Sequence, residues 1–148
     1  MELALDDEAA TARLGRAVAR ELRRGDAVHL SGGLGAGKTT LARAAIRALT
    51  TPEEEAPSPT FTLVQTYDGP EFPVAHFDLY RLDGPGQTRE LGLEDAVAEG
   101  AVLIEWPERL AGERPSPDTL EVELVPAGRS RRARITRHGS WRQRDLRL

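Results

Sequence analysis

The sequence predicts a single α/β domain, in which helices flank a mixed β-sheet, and three observations support this. The chain has 148 residues, close to the length of one domain. Short apolar runs typical of buried strands occur together with amphipathic helical patterns. A glycine-rich segment joins one such run to a helix, an arrangement typical of folds that bind phosphate at a helix N-terminus. We therefore expect one folded unit over residues 1–148, without an internal repeat or a linker.

The first third of the chain predicts a helix, a strand and a second helix. Residues 8–23 repeat an apolar side chain every four residues, with arginines between them, as in an amphipathic helix. The apolar run at residues 27–30 predicts a buried strand. A glycine-rich turn at residues 31–37 follows it, and residues 38–49 return to a helical pattern. The sequence thus predicts strand, loop and helix around the glycines.

The rest of the chain predicts five strands and a stretch of short helices. Residues 50–59 are rich in proline and acid and predict a surface loop. Residues 61–67 and 73–80 predict a hairpin or a pair of adjacent strands. Residues 119–125 and 131–136 alternate apolar and charged side chains, as in a closing antiparallel pair. Residues 87–100 are polar, with short helical stretches. The five predicted strands cover residues 61–67, 73–80, 101–104, 119–125 and 131–136.

The composition excludes several classes of site and protein. The chain has no cysteine, so it cannot form disulfides, thiolate nucleophiles or zinc sites built on sulfur. Its histidines lack metal-ligand spacing, so oxygen atoms must hold any metal. No apolar stretch is long enough to span a bilayer, and the acidic N-terminus lacks the basic start of a signal peptide, so we expect a cytoplasmic protein. The three histidines are His29, His76 and His138.

The charge distribution is uneven although the net charge is only -4. Residues 129–148 carry eight arginines against one acid, so this basic C-terminal segment has a charge of +7 and the preceding residues -11. Of the 20 basic residues, 19 are arginines, and Lys38 is the single lysine. An ammonium is a compact point charge, whereas a guanidinium is a planar fork, so this exception indicates a task that needs a point charge.

The motif with the clearest chemistry is GGLGAGKT at residues 32–39, which matches the P-loop pattern G-x-x-x-x-G-K-[ST]. A strand precedes it and a helix begins at its lysine, as in the P-loop NTPase fold class. Glycines allow successive backbone N–H groups to face a phosphate chain. We expect Lys38 to reach the β- and γ-phosphates and the Thr39 hydroxyl to bind Mg2+. The same glycines do not fit a dinucleotide-binding fingerprint, because no acid ends a second strand at the required interval.

A P-loop also needs a carboxylate opposite it to hold the magnesium, directly or through water, and two acids follow predicted strands. Glu105 ends an apolar run, and Asp78 ends the preceding strand pattern. The pattern around Glu105 fits better, although residue types alone leave both acids open. Trp106, next to Glu105, can either stack on a ligand or fill the core.

Four segments together resemble the TsaE (YjeE) family, small bacterial ATPases of tRNA threonylcarbamoyladenosine synthesis. The resemblance covers residues 5–136, and the four segments have the order and spacing of the family. It implies a mixed-sheet P-loop fold, ATP and Mg2+ binding with slow hydrolysis, and a cytoplasmic partnership. The implied partners are the two actin-like-fold proteins of the threonylcarbamoyl-transferase complex, which modify adenosine 37 of ANN-decoding tRNAs. The segments are residues 33–40 (GLGAGKTT), 58–63 (SPTFTL), 76–82 (HFDLYRL) and 103–109 (LIEWPER).

The resemblance also implies roles for individual residues. Thr39 and Glu105 are expected to hold Mg2+, with Lys38, Asp78 and Glu105 as the catalytic set. The loop at residues 58–60 is expected to sense the nucleotide. The arginine-rich segment after residue 130 departs from the family, which says little about it. The residues expected to contact the nucleotide are Thr11 near the base, Gly35, Ala36, Gly37, Lys38, Thr39 and Thr40 at the phosphates, Thr60 in the sensing loop, Trp106, and Arg129 on the opposite side.

Two other functions remain open at this stage. A small-molecule kinase shares the P-loop, but it normally has a basic lid, and residues 83–100 contain only Arg89. An RNA-binding module could use the basic segment 129–148, because clustered cations bind phosphates in a salt-dependent manner. A GTPase is excluded, because its N-K-x-D motif needs a second lysine.

Overall fold

A computed structural model of the protein describes residues 1–59, 62–82 and 86–148. These residues form a mixed α/β structure with seven strands, four α-helices and two 3-10 helical turns. The strands are β1 (Glu2–Leu5), β2 (Ala27–Ser31), β3 (Val64–Asp68), β4 (Pro73–Asp78), β5 (Ala101–Glu105), β6 (Thr119–Ala127) and β7 (Ser130–Arg137). The α-helices are α1 (Glu8–Glu21), α2 (Lys38–Leu49), α3 (Gln87–Glu90) and α4 (Leu93–Glu99), and the turns cover Pro107–Leu110 and Gly139–Gln143.

The seven strands form one sheet in the order β1-β7-β6-β2-β5-β4-β3. The central strands β6, β2, β5 and β4 are parallel, and antiparallel strands extend the sheet at both edges. The ends of β2, β4 and β5 therefore meet at one edge of the sheet, where the glycine-rich loop also lies. This edge is where open α/β sheets place their ligands.

Each face of the sheet is covered by a different apolar cluster. Helices α1 and α2 pack on one face, over side chains such as Leu30 and Leu103. Helix α4 and the first 3-10 turn cover part of the other face, over side chains such as Phe77 and Ile104. The two large helices approach closely at Gly15, where an added Cβ would lie 2.4 Å from a backbone oxygen of α2. This contact fixes the helix that follows the glycine-rich loop.

The predicted fold class is confirmed, and so are both large helices and the closing antiparallel pair. The segments before and after residues 69–72 form a hairpin, because β3 and β4 pair antiparallel. β3 begins only at Val64, and β4 ends at Asp78, because the Asp78 carboxylate accepts a hydrogen bond from the Tyr80 amide and the chain turns there. Phe61, the predicted first residue of β3, lies outside the described residues. The prediction missed β1, which pairs with β7.

The basic C-terminal segment is anchored to the body of the protein. Arg144 is only 5% exposed, and its guanidinium donates hydrogen bonds of 2.5 and 3.1 Å to both carboxylate oxygens of Asp26. The same guanidinium lies 4.3 Å from the ring centroid of the fully buried Trp141. Burial raises the pKa of Asp26, and its hydrogen bond with Arg144 opposes that rise. Across the described residues, we find no helix with the length and apolar character to cross a bilayer.

Candidate functional site

The glycine-rich loop runs from the end of β2 to the start of α2. Gly35 and Gly37 adopt left-handed backbone conformations, with φ of 74° and 104°, which residues other than glycine rarely adopt. Helix α2 begins directly after Gly37, at Lys38. The unpaired N–H groups and the positive dipole end of α2 thus lie at the loop, as anion binding requires.

A cavity of about 480 Å³ opens next to this loop and brings most of the predicted site residues together. Of the predicted residues, six from the loop and the start of α2 line it, together with Asp78, Glu105 and Trp106. Thr11 and Arg129 do not, and Thr60 lies outside the described residues. The cavity is lined by Glu8, Leu34, Gly35, Ala36, Gly37, Lys38, Thr39, Thr40, Ser58, Asp78, Tyr80, Arg81, Glu105, Trp106 and Arg131.

Lys38 is buried at the base of the cavity and is bound by the loop. Its Nζ donates hydrogen bonds of 2.7 Å to the Gly32 carbonyl and 2.8 Å to the Gly33 carbonyl. The same ammonium lies 4.1 Å from the ring centroid of Trp106, within the range of a cation–π contact. Burial lowers the pKa of Lys38, and Glu105 is the largest of the opposing acidic influences. The ammonium is thus held at the loop by groups that phosphate oxygens can replace.

Trp106 lies at the edge of the cavity and also packs against the core, while its stacking on a ligand stays a prediction. Its backbone adopts a left-handed conformation with φ of 60°. One side of the residue packs against the apolar cluster that contains Ile104. Its ring lies 4.8 Å from the ring of Tyr80, at an interplanar angle of 47°. Trp106 therefore forms a wall between the core and the bound lysine.

The two predicted acids lie side by side, because Asp78 and Glu105 are register partners at the ends of β4 and β5. Both residues are buried, but their partners differ. The Thr39 hydroxyl lies 3.1 and 3.2 Å from the two carboxylate oxygens of Glu105, whereas Asp78 accepts a hydrogen bond of 3.0 Å from the Ser58 hydroxyl. Glu105 is thus tied to the P-loop helix and Asp78 to the loop that precedes β3. The two neighbouring acids therefore have different hydrogen-bond partners.

The oxygen atoms at this end of the cavity fit a magnesium ion. Mg2+ prefers hard oxygen ligands and usually binds through one or two protein groups, with waters and phosphates completing its coordination. The Thr39 hydroxyl and the Glu105 carboxylate are adjacent and supply two such groups. Among the described residues, no three His, Asp or Glu side chains lie close enough together to hold a metal ion by themselves. The site therefore suits a metal that shares its ligands with a nucleotide.

The structure brings Arg131, which the sequence analysis did not single out, into the cavity, and the predicted role of Arg129 stays a prediction. Arg129 is exposed in the β6–β7 turn, whereas Arg131 enters the cavity and donates a hydrogen bond of 2.8 Å to the Gly35 carbonyl. The alternation of charged and apolar residues along β7 indicated on which face of the strand Arg131 lies. Arg131 shares its face of the strand with the buried residues Ala133 and Ile135, and that face is covered by the helices.

Two further positions differ from a simple sequence interpretation. Thr11 is fully buried in α1, with its methyl group 3.5 Å from where a Cβ on Gly37 would lie, so it packs behind the loop. Its predicted contact with a base stays a prediction, and Glu8 is the α1 residue that lines the cavity.

His76 contacts one of the two predicted acids, although the sequence indicated only an isolated histidine. The distance between His76 Nε2 and a carboxylate oxygen of Glu105 is 2.6 Å.

Comparisons with known proteins point to one family. The family model described as "Threonylcarbamoyl adenosine biosynthesis protein TsaE" matches residues 5–134. The tRNA threonylcarbamoyladenosine biosynthesis protein TsaE of Rickettsia conorii is 38% identical over 136 residues, which is 90% of this chain and 77% of that protein. The protein of the same name from Aquifex aeolicus is 34% identical over 92% of this chain and 96% of its own length. The crystal structure of Bacillus subtilis YdiB superposes with a TM-score of 0.76 at 26% identity, covering 94% of this chain and 86% of that one.

Proposed function

The chain belongs to the TsaE family, and we propose that it is a Mg2+-dependent ATPase with slow turnover that acts with partner proteins in tRNA modification. The modification we propose is the threonylcarbamoyl group on adenosine 37 of tRNAs that read ANN codons. The observation that carries the ATPase proposal is the single cavity that joins the P-loop, its lysine and the Thr39–Glu105 pair. The proposed place of action is the cytoplasm.

In this proposal the residues of the loop bind the phosphates of ATP. The N–H groups at the start of α2 and the Lys38 ammonium face the β- and γ-phosphates, and Arg131 adds a second positive charge from β7. Thr39 and Glu105 would hold Mg2+, which when bound neutralises phosphate charge and polarises the bond that breaks. Asp78 is the second acid of the cavity, and its bond to Ser58 connects it to the sensing loop.

The mouth of the cavity supports dependence on a partner protein. Leu34, at the tip of the glycine-rich loop, is 77% exposed, and Tyr80 is 39% exposed on the same cavity. Exposed apolar side chains around a polar site suit contact with another protein. The partners we propose are the two actin-like-fold proteins of the threonylcarbamoyl-transferase complex, with tRNA reached through that complex. Closure of the site by a partner explains why turnover alone should be slow.

The basic C-terminal segment gives little support to a separate RNA-binding function. Arg144 is buried on Asp26 and Arg131 contacts the P-loop. Arg132 and Arg134 lie on the exposed face of β7, where both are within ion-pair distance of Glu2. The arginines thus point in several directions, and some of their charge is already neutralised.

The proposed function is tested by measuring ATP turnover and partner affinity together. Turnover is measured for the protein alone and with the purified partner proteins, and partner affinity is measured in ATP and in ADP. We expect slow turnover alone, an increase with the partners, and different affinities in the two nucleotides. Lys38→Ala serves as the inactive control. Fast turnover alone, combined with identical affinities in ATP and ADP, would refute partner-gated hydrolysis.

A further inference from the structure

We propose that His76 is a positioning residue that holds the Glu105 carboxylate in the orientation needed for metal binding. His76 lies on β4 with no exposed surface, and its Nε2 is 2.6 Å from Glu105 Oε2. The Thr39 hydroxyl contacts the same carboxylate. The glutamate that ends β5 is therefore held between a histidine beneath it and the helix that carries the phosphate loop. This inference rests on the proposed Mg2+-dependent function.

The chemistry of the contact fixes which nitrogen carries the proton. An ionised carboxylate only accepts hydrogen bonds, so His76 Nε2 must be the donor. The other ring nitrogen, Nδ1, is buried and has no hydrogen-bond partner among the residues that the structure describes. With the proton on Nε2, only a lone pair at Nδ1 is left without a partner. The Nε2–H tautomer thus agrees with the contacts at both ends of the ring.

Glu105 needs a hydrogen-bond partner that restrains its carboxylate, because its side chain has several rotatable bonds. The Thr39 hydroxyl alone restrains it from one side, and that hydroxyl is itself a proposed metal ligand. A second donor on the side of β4 keeps the carboxylate in place when the Thr39 hydroxyl turns to the metal. Loss of an outer hydrogen-bond partner of a metal ligand typically costs about 10–100-fold in metal affinity.

The chain contains a matched control for this inference. His29 lies on β2, on the other side of β5 from His76, and it is also buried, with an unpaired Nε2. Its side chain is on the opposite face of the sheet and lines a different cavity, together with Glu121. Substitutions at His29 therefore remove a buried imidazole from the same sheet without touching Glu105.

The test compares His76→Gln, His76→Asn and His76→Phe with His29→Gln and His29→Phe at pH 7.5. The amide nitrogen of glutamine reaches roughly the position of imidazole Nε2, whereas that of asparagine reaches only the position of Nδ1. Binding of Mn2+ to the ATP complex is measured by electron paramagnetic resonance, ATP affinity without metal by calorimetry, and folding by thermal unfolding. We expect His76→Asn and His76→Phe to weaken Mn2+ binding about 10–100-fold. His76→Gln and both His29 variants should stay close to the original protein, with metal-free ATP affinity unchanged.

Two results would overturn the positioning role. One is equal Mn2+ affinity in His76→Gln and His76→Asn, and the other is an equal loss in the His76 and His29 variants. If His76→Phe does not fold, the comparison between the glutamine and asparagine variants still decides. If the unsubstituted protein binds no ATP at all, the proposed ATPase function fails, and this inference fails with it. If ATP binding is normal and Mn2+ affinity is unaltered in every variant, the positioning role of His76 is refuted while the proposed function stands.

Discussion

Replacing His29 with glutamine should make the stability of the protein less sensitive to acid. His29 is 5% exposed, and its Nε2 has no hydrogen-bond partner within the described part of the chain. Burial lowers the pKa of His29 from 6.5 to about 4, with Glu121 opposing the change and Arg114 and His138 adding to it. The folded protein therefore keeps this imidazole neutral at a pH where the unfolded chain protonates it.

The sign and size of the effect follow from this difference in proton binding. Between pH 6.5 and pH 4 the unfolded chain binds more protons at His29 than the folded protein, so the free energy of unfolding falls as the pH falls. More than about one pH unit above 6.5 the imidazole is neutral in both states and contributes almost no pH dependence. At pH 4.5 the loss is about 2.5 kcal/mol relative to pH 7, because one pKa unit corresponds to about 1.36 kcal/mol.

Urea denaturation at pH 7 and pH 4.5 measures this contribution directly. The drop in the free energy of unfolding between the two pH values should be about 2.5 kcal/mol smaller in His29→Gln than in the original protein. Other titrating groups are common to both proteins, so their contribution cancels in the comparison. The denaturant slopes must agree for the subtraction to be valid. An identical pH dependence in both proteins would show that His29 is not kept neutral by burial.

Three further predictions concern the cavity. Lys38→Ala should reduce ATP hydrolysis by about 10²-fold or more. Lys38→Arg should not restore hydrolysis, because a planar guanidinium does not replace the point charge of the ammonium. Equal turnover in Lys38→Arg and the original protein would contradict this prediction. Glu105→Gln should preserve nucleotide binding and lower Mg2+-dependent hydrolysis, measured as phosphate release; intact hydrolysis would transfer the magnesium role to Asp78. Arg131→Gln should weaken ADP binding about tenfold in calorimetry, while the exposed Arg132→Gln should not, and equal affinities would remove Arg131 from the site.

Local signals in the sequence were sufficient for the centre of the site. Helix α2 begins at Lys38, where the P-loop motif places it, because the glycines before it permit a turn that other residues resist. Glu105 ends β5 as the apolar run predicted, since a fully buried strand must become polar where it reaches solvent or a site. These features depend on neighbouring residues alone, so the sequence shows them directly.

Features that depend on distant residues were missed. Strand β1 has four residues, and its partner lies at the other end of the chain, where Leu5 pairs with Arg131. So short a segment resembles the approach to a helix until its partner is known. The contact between His76 and Glu105 also joins two different strands, and no local pattern reveals which parallel strands are neighbours. Arg131 lies on the face of β7 that the helices cover, whereas Arg129 lies in the turn before that strand, and only the position of the turn distinguishes the two.

In the proposed function, the charges around the cavity favour joint binding of magnesium and nucleotide. The described residues that line it include three cations, Lys38, Arg81 and Arg131, and three acids, Glu8, Asp78 and Glu105. The lining is therefore close to electrical balance before a ligand enters. A triphosphate adds several negative charges next to Glu105 and Asp78, and a divalent ion offsets part of them at low dielectric, where such charges interact strongly. Lys38 and Arg131 already donate hydrogen bonds to loop carbonyls, so only part of their donor capacity faces a phosphate, and a metal would add attraction that these cations alone do not provide.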